Sequence, residues 1–336
     1  MDPEALSDVD HVPHGGVTDA DLLDFSANIN PVRPRGVTQV YDAAFGASTR
    51  YHADDYTEFR LAAADYADCE PEHVVPTAGG LIAIRLALGV TVSPGDAVAV
   101  PAPSFGEYAR EARLQGGDPE FVDADTLLDL DPEPYSVVVV CNPNNPTGQL
   151  YPADDLQRFA RQCRRADTTL LVDEAFLDFT DSPSIAGTRG VVVARSLTKM
   201  FGLPGIRAGY AAAEGDLRER LETARPAWGL STPAADVGAY CMRQDEFVEE
   251  TRARVTRERQ RMYDVLTHEF DVRESHAPFL LVDVGDRDVQ TVAETTRKRG
   301  VAVRDATTFR GLDSHIRVAV KRAEENDRLL DALRDV

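Results

Sequence analysis

Four short, almost wholly apolar runs punctuate the middle of the chain: Ala97 to Pro101, Ser136 to Cys141, Thr169 to Asp173 and Gly190 to Ala194. They are rich in β-branched residues and do not alternate polar with apolar positions. That is the pattern of strands buried on both faces, as in a parallel sheet sandwiched between helices. Segments with apolar residues at helical spacing lie between them, notably Leu81 to Leu88 and Ala153 to Arg165, and Ser93-Pro94-Gly95-Asp96 is a turn placed just before a strand. Strands alternating with helices predict an α/β protein on a mostly parallel sheet.

The rhythm changes after Ala213. A long charged helix is expected around Glu249 to Phe270, then strands at Phe279 to Val284, Val301 to Arg304 and His315 to Val320, with helices near Val289 to Arg299 and from Glu324. This reads as a smaller α+β unit. The first 45 or so residues hold turn formers and little periodicity, which predicts an arm lying on another surface. The expected partition is an arm and small-domain segment over 1–45, a large domain over 46–225 and a small domain over 226–336; 336 residues suffice for two such units.

With 36 Lys and Arg against 57 Asp and Glu, the formal charge of -21 opposes binding to nucleic acid or to an anionic membrane. The acidic excess is spread along the chain, and with the scarcity of lysine it suggests a surface adapted to high salt. The expected outcome is loss of ellipticity on dialysis into low salt; full stability there would count against halophilic adaptation. Cys69, Cys141, Cys163 and Cys241 are widely separated, with no metal-ligand spacing, so a reduced, cytoplasmic setting and no metal are expected. No opening apolar run reads as a leader, and no stretch is long enough to span a bilayer.

Only three lysines occur in the chain, and Lys199 is one of them, in Ser196-Leu197-Thr198-Lys199-Met200-Phe201-Gly202-Leu203-Pro204-Gly205-Ile206-Arg207-Ala208-Gly209-Tyr210. A lysine amine can lose its proton and attack an aldehyde, whereas a guanidinium stays charged. Pyridoxal phosphate is anchored by such a lysine, and its phosphate needs hydroxyls and an arginine, which Ser196, Thr198 and Arg207 supply. By itself the segment is also compatible with a surface lysine, or with the Ser-x-x-Lys motif of serine hydrolases.

Asp173 ends an otherwise apolar strand, the place where α/β sheets bind ligands. A carboxylate there can keep a pyridine nitrogen protonated, and equally can be solvated or cap a helix. Asn142-Pro143-Asn144-Asn145-Pro146-Thr147-Gly148 follows another strand end, where two prolines restrict the backbone around adjacent asparagines; a plain turn is the alternative.

These motifs, in this order over residues 142 to 210, with Asp-Glu-Ala-Phe at 173–176, resemble the fold-type I pyridoxal-phosphate enzymes of aminotransferase class I/II. The resemblance implies a large domain with a mostly parallel seven-stranded sheet plus a smaller α+β domain. It makes Lys199 the Schiff-base lysine, pairs Asp173 with the ring nitrogen and Asn145 with the phenolic oxygen, and gives the phosphate to Ser196, Thr198, Arg207 and the backbone of Ala78, Gly79 and Gly80. Phe105 matches the aromatic that stacks on the ring, and Phe176, where the aminotransferases usually carry a tyrosine, is also implied as a cofactor contact. Tyr51 matches a tyrosine that reaches the neighbouring subunit's phosphate, which implies a homodimer with shared sites.

Within the family the chain is similar to histidinol-phosphate aminotransferases and to the L-threonine-O-3-phosphate decarboxylases of cobalamin biosynthesis. His14-Gly15-Gly16, Asp24 to Pro31, Phe176 in place of a tyrosine, Arg304 to Leu312 and Ile316 to Val320 favour the decarboxylases. That resemblance implies substrate contacts from His14, Asn28, Asn145, Arg304 and Arg317. The chain departs from the pattern at Thr77 to Ile82, at Val17 and at Gly229-Leu230-Ser231. A non-catalytic binding protein on the same fold is the remaining expectation, with intact Lys199, Asp173, Asn145 and Arg207 against it.

Overall fold

The structure is a computed structural model and describes every residue except Asp8 and Asp335. A two-residue strand β1 (Leu23–Asp24) precedes β2 (Val74–Thr77), β3 (Ala97–Ala102), β4 (Asp118–Asp123), β5 (Val137–Cys141), β6 (Thr169–Asp173), β7 (Val191–Ser196) and β8 (Gly209–Ala212). Strands β2 to β8 form one seven-stranded sheet in the order β2-β8-β7-β6-β5-β3-β4. Neighbours are parallel except that β8 runs against both β2 and β7.

The unbroken apolar character of these strands follows from their double-sided burial. Val138, Val140, Leu170 and Val172 join one apolar cluster, while Val137, Val139 and Leu171 join another on the opposite face. Around the sheet lie α1 (Val37–Ala47), α2 (Thr57–Ala67), α3 (Gly80–Thr91), α4 (Glu107–Leu114), α5 (Ala153–Arg165), α6 (Gly215–Ala224) and α7 (Thr232–Met242), and α8 (Asp245–Leu266) packs on the C-terminal part. The charged helix expected at 249–270 is α8, four residues earlier at each end.

The C-terminal part contains β9 (Asp271–Val272), β10 (Phe279–Asp283), α9 (Val289–Lys298), β11 (Val301–Ala302), β12 (Arg304–Asp305), β13 (His315–Ala319) and α10 (Ala323–Leu333). Four of its strands pair antiparallel in the order β12-β13-β10-β9. The chain's beginning is stitched into its end: β1 pairs in parallel with β11, and Ala319 N–H donates to the Phe25 carbonyl. No helix among the described residues is long and apolar enough to cross a membrane.

Candidate active site

The parallel strands end along one edge of the sheet, and their following loops line a cavity of about 390 Å³. β3 leads to Phe105, β5 to Asn145, β6 ends on Asp173, and β7 ends on Ser196 just before Lys199. The register sets Cys141 level with Asp173 and Asp173 level with Ala194. His14, Asn28, Arg304 and Arg317 line the same space from the N- and C-terminal parts of the chain. This is the crevice where open α/β sheets hold ligands.

One end of the cavity is built for a phosphate. Helix α3 opens at Gly80 with no side-chain cap, so its first N–H groups and its positive pole are left for a ligand. Gly79 has φ of 92°, and a Cβ there would lie 2.5 Å from an Arg207 Nη atom, so any other residue would displace the guanidinium. Arg207 is anchored by donating to the Pro204 carbonyl at 3.2 Å and the Ala78 carbonyl at 3.5 Å. Of the backbone expected to hold the phosphate, the Gly79 N–H is already spent on Thr77 O, which leaves the start of α3 as the donor. The buried Ser196 and Thr198 hydroxyls bond each other at 2.9 Å.

At the other end Asp173 is buried, accepting from the Tyr108 hydroxyl at 2.6 Å and from Ala175 N–H at 3.0 Å. Burial pushes its carboxyl above the usual range, and the Tyr108 bond pulls it back. Pleating sends the next side chain elsewhere: Glu174 bonds Arg195 at 2.9 Å on the far side of the sheet. Tyr108 stands edge-on to Phe105, 5.5 Å between centroids. Its partner is 65 positions away in sequence, so no local pattern announces the contact.

The Lys199 loop is clasped from outside. Asn30 N–H donates to Lys199 O at 3.1 Å, and the Asn30 amide donates to Met200 O at 2.7 Å. Burial first, then the positive Arg317 and Arg207, push the Lys199 amine from 10.5 down to about 8, against the pull of Asp173. A near-neutral fraction of nucleophilic amine follows. Because the folded chain disfavours the charged form, the cost is full below pH 8 and fades as pH rises towards 10.5. Lys199→Met is therefore expected to raise the apoprotein's stability by about 3 kcal/mol at pH 7, a gain that shrinks steadily above pH 8. Urea denaturation at both ends of that range checks it; a pH-independent gain would rule out the charge as its cause.

Three asparagines share the turn after β5, and their amides divide the work. Asn142 bonds both backbone groups of Tyr151, and Asn144 donates to Pro103 O and the Thr147 hydroxyl. Asn145 alone faces the cavity, where its carbonyl oxygen accepts from Arg317 and its N–H₂ is left free to donate. Arg317 is 5% exposed, makes no ion pair among the described residues, and has an unpartnered Nε. Asn28 is buried nearby with an unpartnered Oδ1. The Phe176 ring lies 6.0 Å from Lys199 Nζ.

The arm crosses the mouth of this cavity. Arg304 donates to the carbonyls of Pro13 at 2.8 Å and His14 at 3.1 Å, so its guanidinium, expected on the substrate, is largely engaged with the arm. His14 Nε2 lies 3.0 Å from Glu107, another residue without a local sequence signal. Tyr51 does not line the cavity; it is 82% exposed and packs on Trp228 at 4.6 Å. Ala78 and Gly79 also stand outside the lining and act through Arg207. Glycine cradle, free helix start, paired hydroxyls, Lys199, Asp173 and the free Asn145 amide together fit a phosphate-bearing pyridine aldehyde.

The pattern describing aminotransferase class I and II matches residues 20–333. Histidinol-phosphate aminotransferase 2 of Archaeoglobus fulgidus is 31% identical over 332 residues, covering 95% of this chain and 94% of that protein. Among solved structures, histidinol-phosphate aminotransferase of Sinorhizobium meliloti in complex with pyridoxal-5'-phosphate superposes with a TM-score of 0.81 at 22% identity, over 91% of this chain and 88% of that one. L-threonine-O-3-phosphate decarboxylase of Porphyromonas gingivalis gives 0.82 at 21%, over 92% and 97%.

Proposed function

The chain belongs to the aminotransferase class I and II family, and on that premise we propose that it decarboxylates L-threonine O-3-phosphate to aminopropanol phosphate with pyridoxal phosphate as cofactor. The observation that carries the reading is the arm, which brings His14 to the same cavity that Asn28 and Arg317 line. A buried guanidinium without a carboxylate partner, in a chain so rich in carboxylates, is reserved for an anion that a ligand brings.

When bound, the cofactor supplies an electron sink for the pair left on the substrate carbon. Lys199 would hold it, and the Lys199 amine would give or take a proton at the reacting carbon of the substrate. Asp173 would pair with the ring nitrogen, Asn145 would donate to the phenolic oxygen, and Phe105 would pack on the cofactor. Ser196, Thr198, Arg207 and the start of α3 would hold the phosphate. Arg317, Asn28, His14 and the remaining donors of Arg304 would orient the substrate and so set which of its bonds breaks. Tyr51, exposed in one chain, is assigned to the partner's phosphate in a homodimer.

Transamination of histidinol phosphate is the second reading, favoured by the Archaeoglobus relative. There the Lys199 amine would carry the proton lost from the substrate carbon. Incubation of the loaded protein with L-threonine O-3-phosphate is expected to release carbon dioxide and aminopropanol phosphate. Glutamate formed from histidinol phosphate and 2-oxoglutarate, without carbon dioxide release from threonine phosphate, would transfer the assignment to the second reading.

A further inference from the structure

We propose that Glu107 is a positioning residue that gives the site its selectivity for a phosphate ester, by holding the His14 ring over the mouth of the cavity. The inference rests on the reading above that the substrate is a phosphorylated amino acid. Glu107 is the first residue of α4 and only 3% exposed, an unusual place for a carboxylate unless it has fixed partners. One oxygen meets His14 Nε2 at 3.0 Å and the other accepts from Arg110 at 3.2 Å. The first turn of a helix favours negative charge, so the site for the carboxylate is prepared by the backbone itself.

The arm does not need Glu107 to stay in place. Arg304 grips the carbonyls of Pro13 and His14, Gly16 N–H donates to the Ser26 hydroxyl at 2.8 Å, and Gly15 passes so close to Ser26 that a Cβ would lie 2.2 Å from its carbonyl oxygen. What Glu107 fixes is the ring. A carboxylate can only accept, so His14 Nε2 carries the proton of that bond and Nδ1 remains for a ligand. With a proton on Nδ1 as well, the imidazolium has the Glu107 carboxylate on one side and a phosphate dianion on the other, and both contacts are charge-assisted. Phe105, 5.8 Å from the imidazole centroid, limits its tilt.

The test compares affinities of the loaded enzyme for aminopropanol phosphate and for 1-aminopropan-2-ol, which differ only in the phosphate. Glu107→Ala is expected to weaken the phosphorylated ligand about 10-fold or more, Glu107→Gln by less because its amide oxygen still accepts, and neither to move the unphosphorylated ligand more than about two-fold. His14→Gln should reproduce the loss, and the double variant should add little to it. Equal losses for both ligands would reduce Glu107 to a prop for the arm, and no loss for either would remove it from recognition; each overturns the inference. If the wild type itself does not prefer the phosphorylated ligand, the substrate reading falls first and this inference falls with it.

Discussion

Lys199→Ala is expected to abolish covalent capture of the cofactor and to lower turnover by about four orders of magnitude or more. Two losses combine. The anchoring amine goes, and so does the group proposed to carry a proton at the substrate carbon. Neither neighbouring arginine can substitute, because a guanidinium keeps its protons. The measurement is the near-visible absorbance of the loaded protein and its bleaching by borohydride, followed by assay with threonine phosphate. Bleaching in the variant equal to that of the wild type would move the anchor to another amine, of which Lys298 and Lys321 are the lysine candidates. The result tests the cofactor and is silent on the substrate.

The largest expected effect on stability lies behind the sheet. Arg195 is 4% exposed and is held between Glu174 and Asp178, both buried, while Glu174 also accepts from the Ser184 hydroxyl at 2.6 Å and Ile185 N–H at 3.1 Å. Arg195→Ala leaves two carboxylates in an apolar interior without a counter-charge, a change that costs about 3–5 kcal/mol. Burial already raises the Asp178 carboxyl, and loss of Arg195 raises it further. A carboxyl raised in the folded state contributes stability that is present at low pH and lost as pH climbs through its folded value. The deficit should therefore be smallest near pH 5 and grow towards pH 7 in urea denaturation. A loss under about 1 kcal/mol would mean that water reaches the network.

The doubly buried strands were legible because their apolar runs have no polar interruption, and the residues that the structure gathers at their ends were legible because Asp173 closes such a run and Asn145 and Lys199 each follow one. Edge strand β4 was not: Asp118 to Asp123 is mostly exposed and begins Asp-Pro, so it lacks the signal of its neighbours. Helix α1 was hidden for a related reason. Only Val37 and Ala44 are buried along it, while Tyr41 and Phe45 face outward, so its apolar residues do not form one stripe. Tyr108 and Glu107 could not be found by pattern at all. Their roles depend on contacts 65 and 93 residues away, created by the sheet order and by the path of the arm.

The stitching of the first residues to the last has a consequence for how the protein comes into being. The cavity needs His14 and Asn28 from the first tenth of the chain and Arg304 and Arg317 from the last. During synthesis the sheet can assemble once β8 has emerged, and the arm can meet α4 through Glu107 and Arg110, yet it lacks the grip of Arg304 and has no strand partner until β11 emerges. The mouth of the site can therefore form only when translation is nearly over. A nascent chain truncated before residue 300 would carry Lys199 and its cradle but neither Arg304 nor Arg317, so its affinity for small ligands would report on maturation of the whole polypeptide.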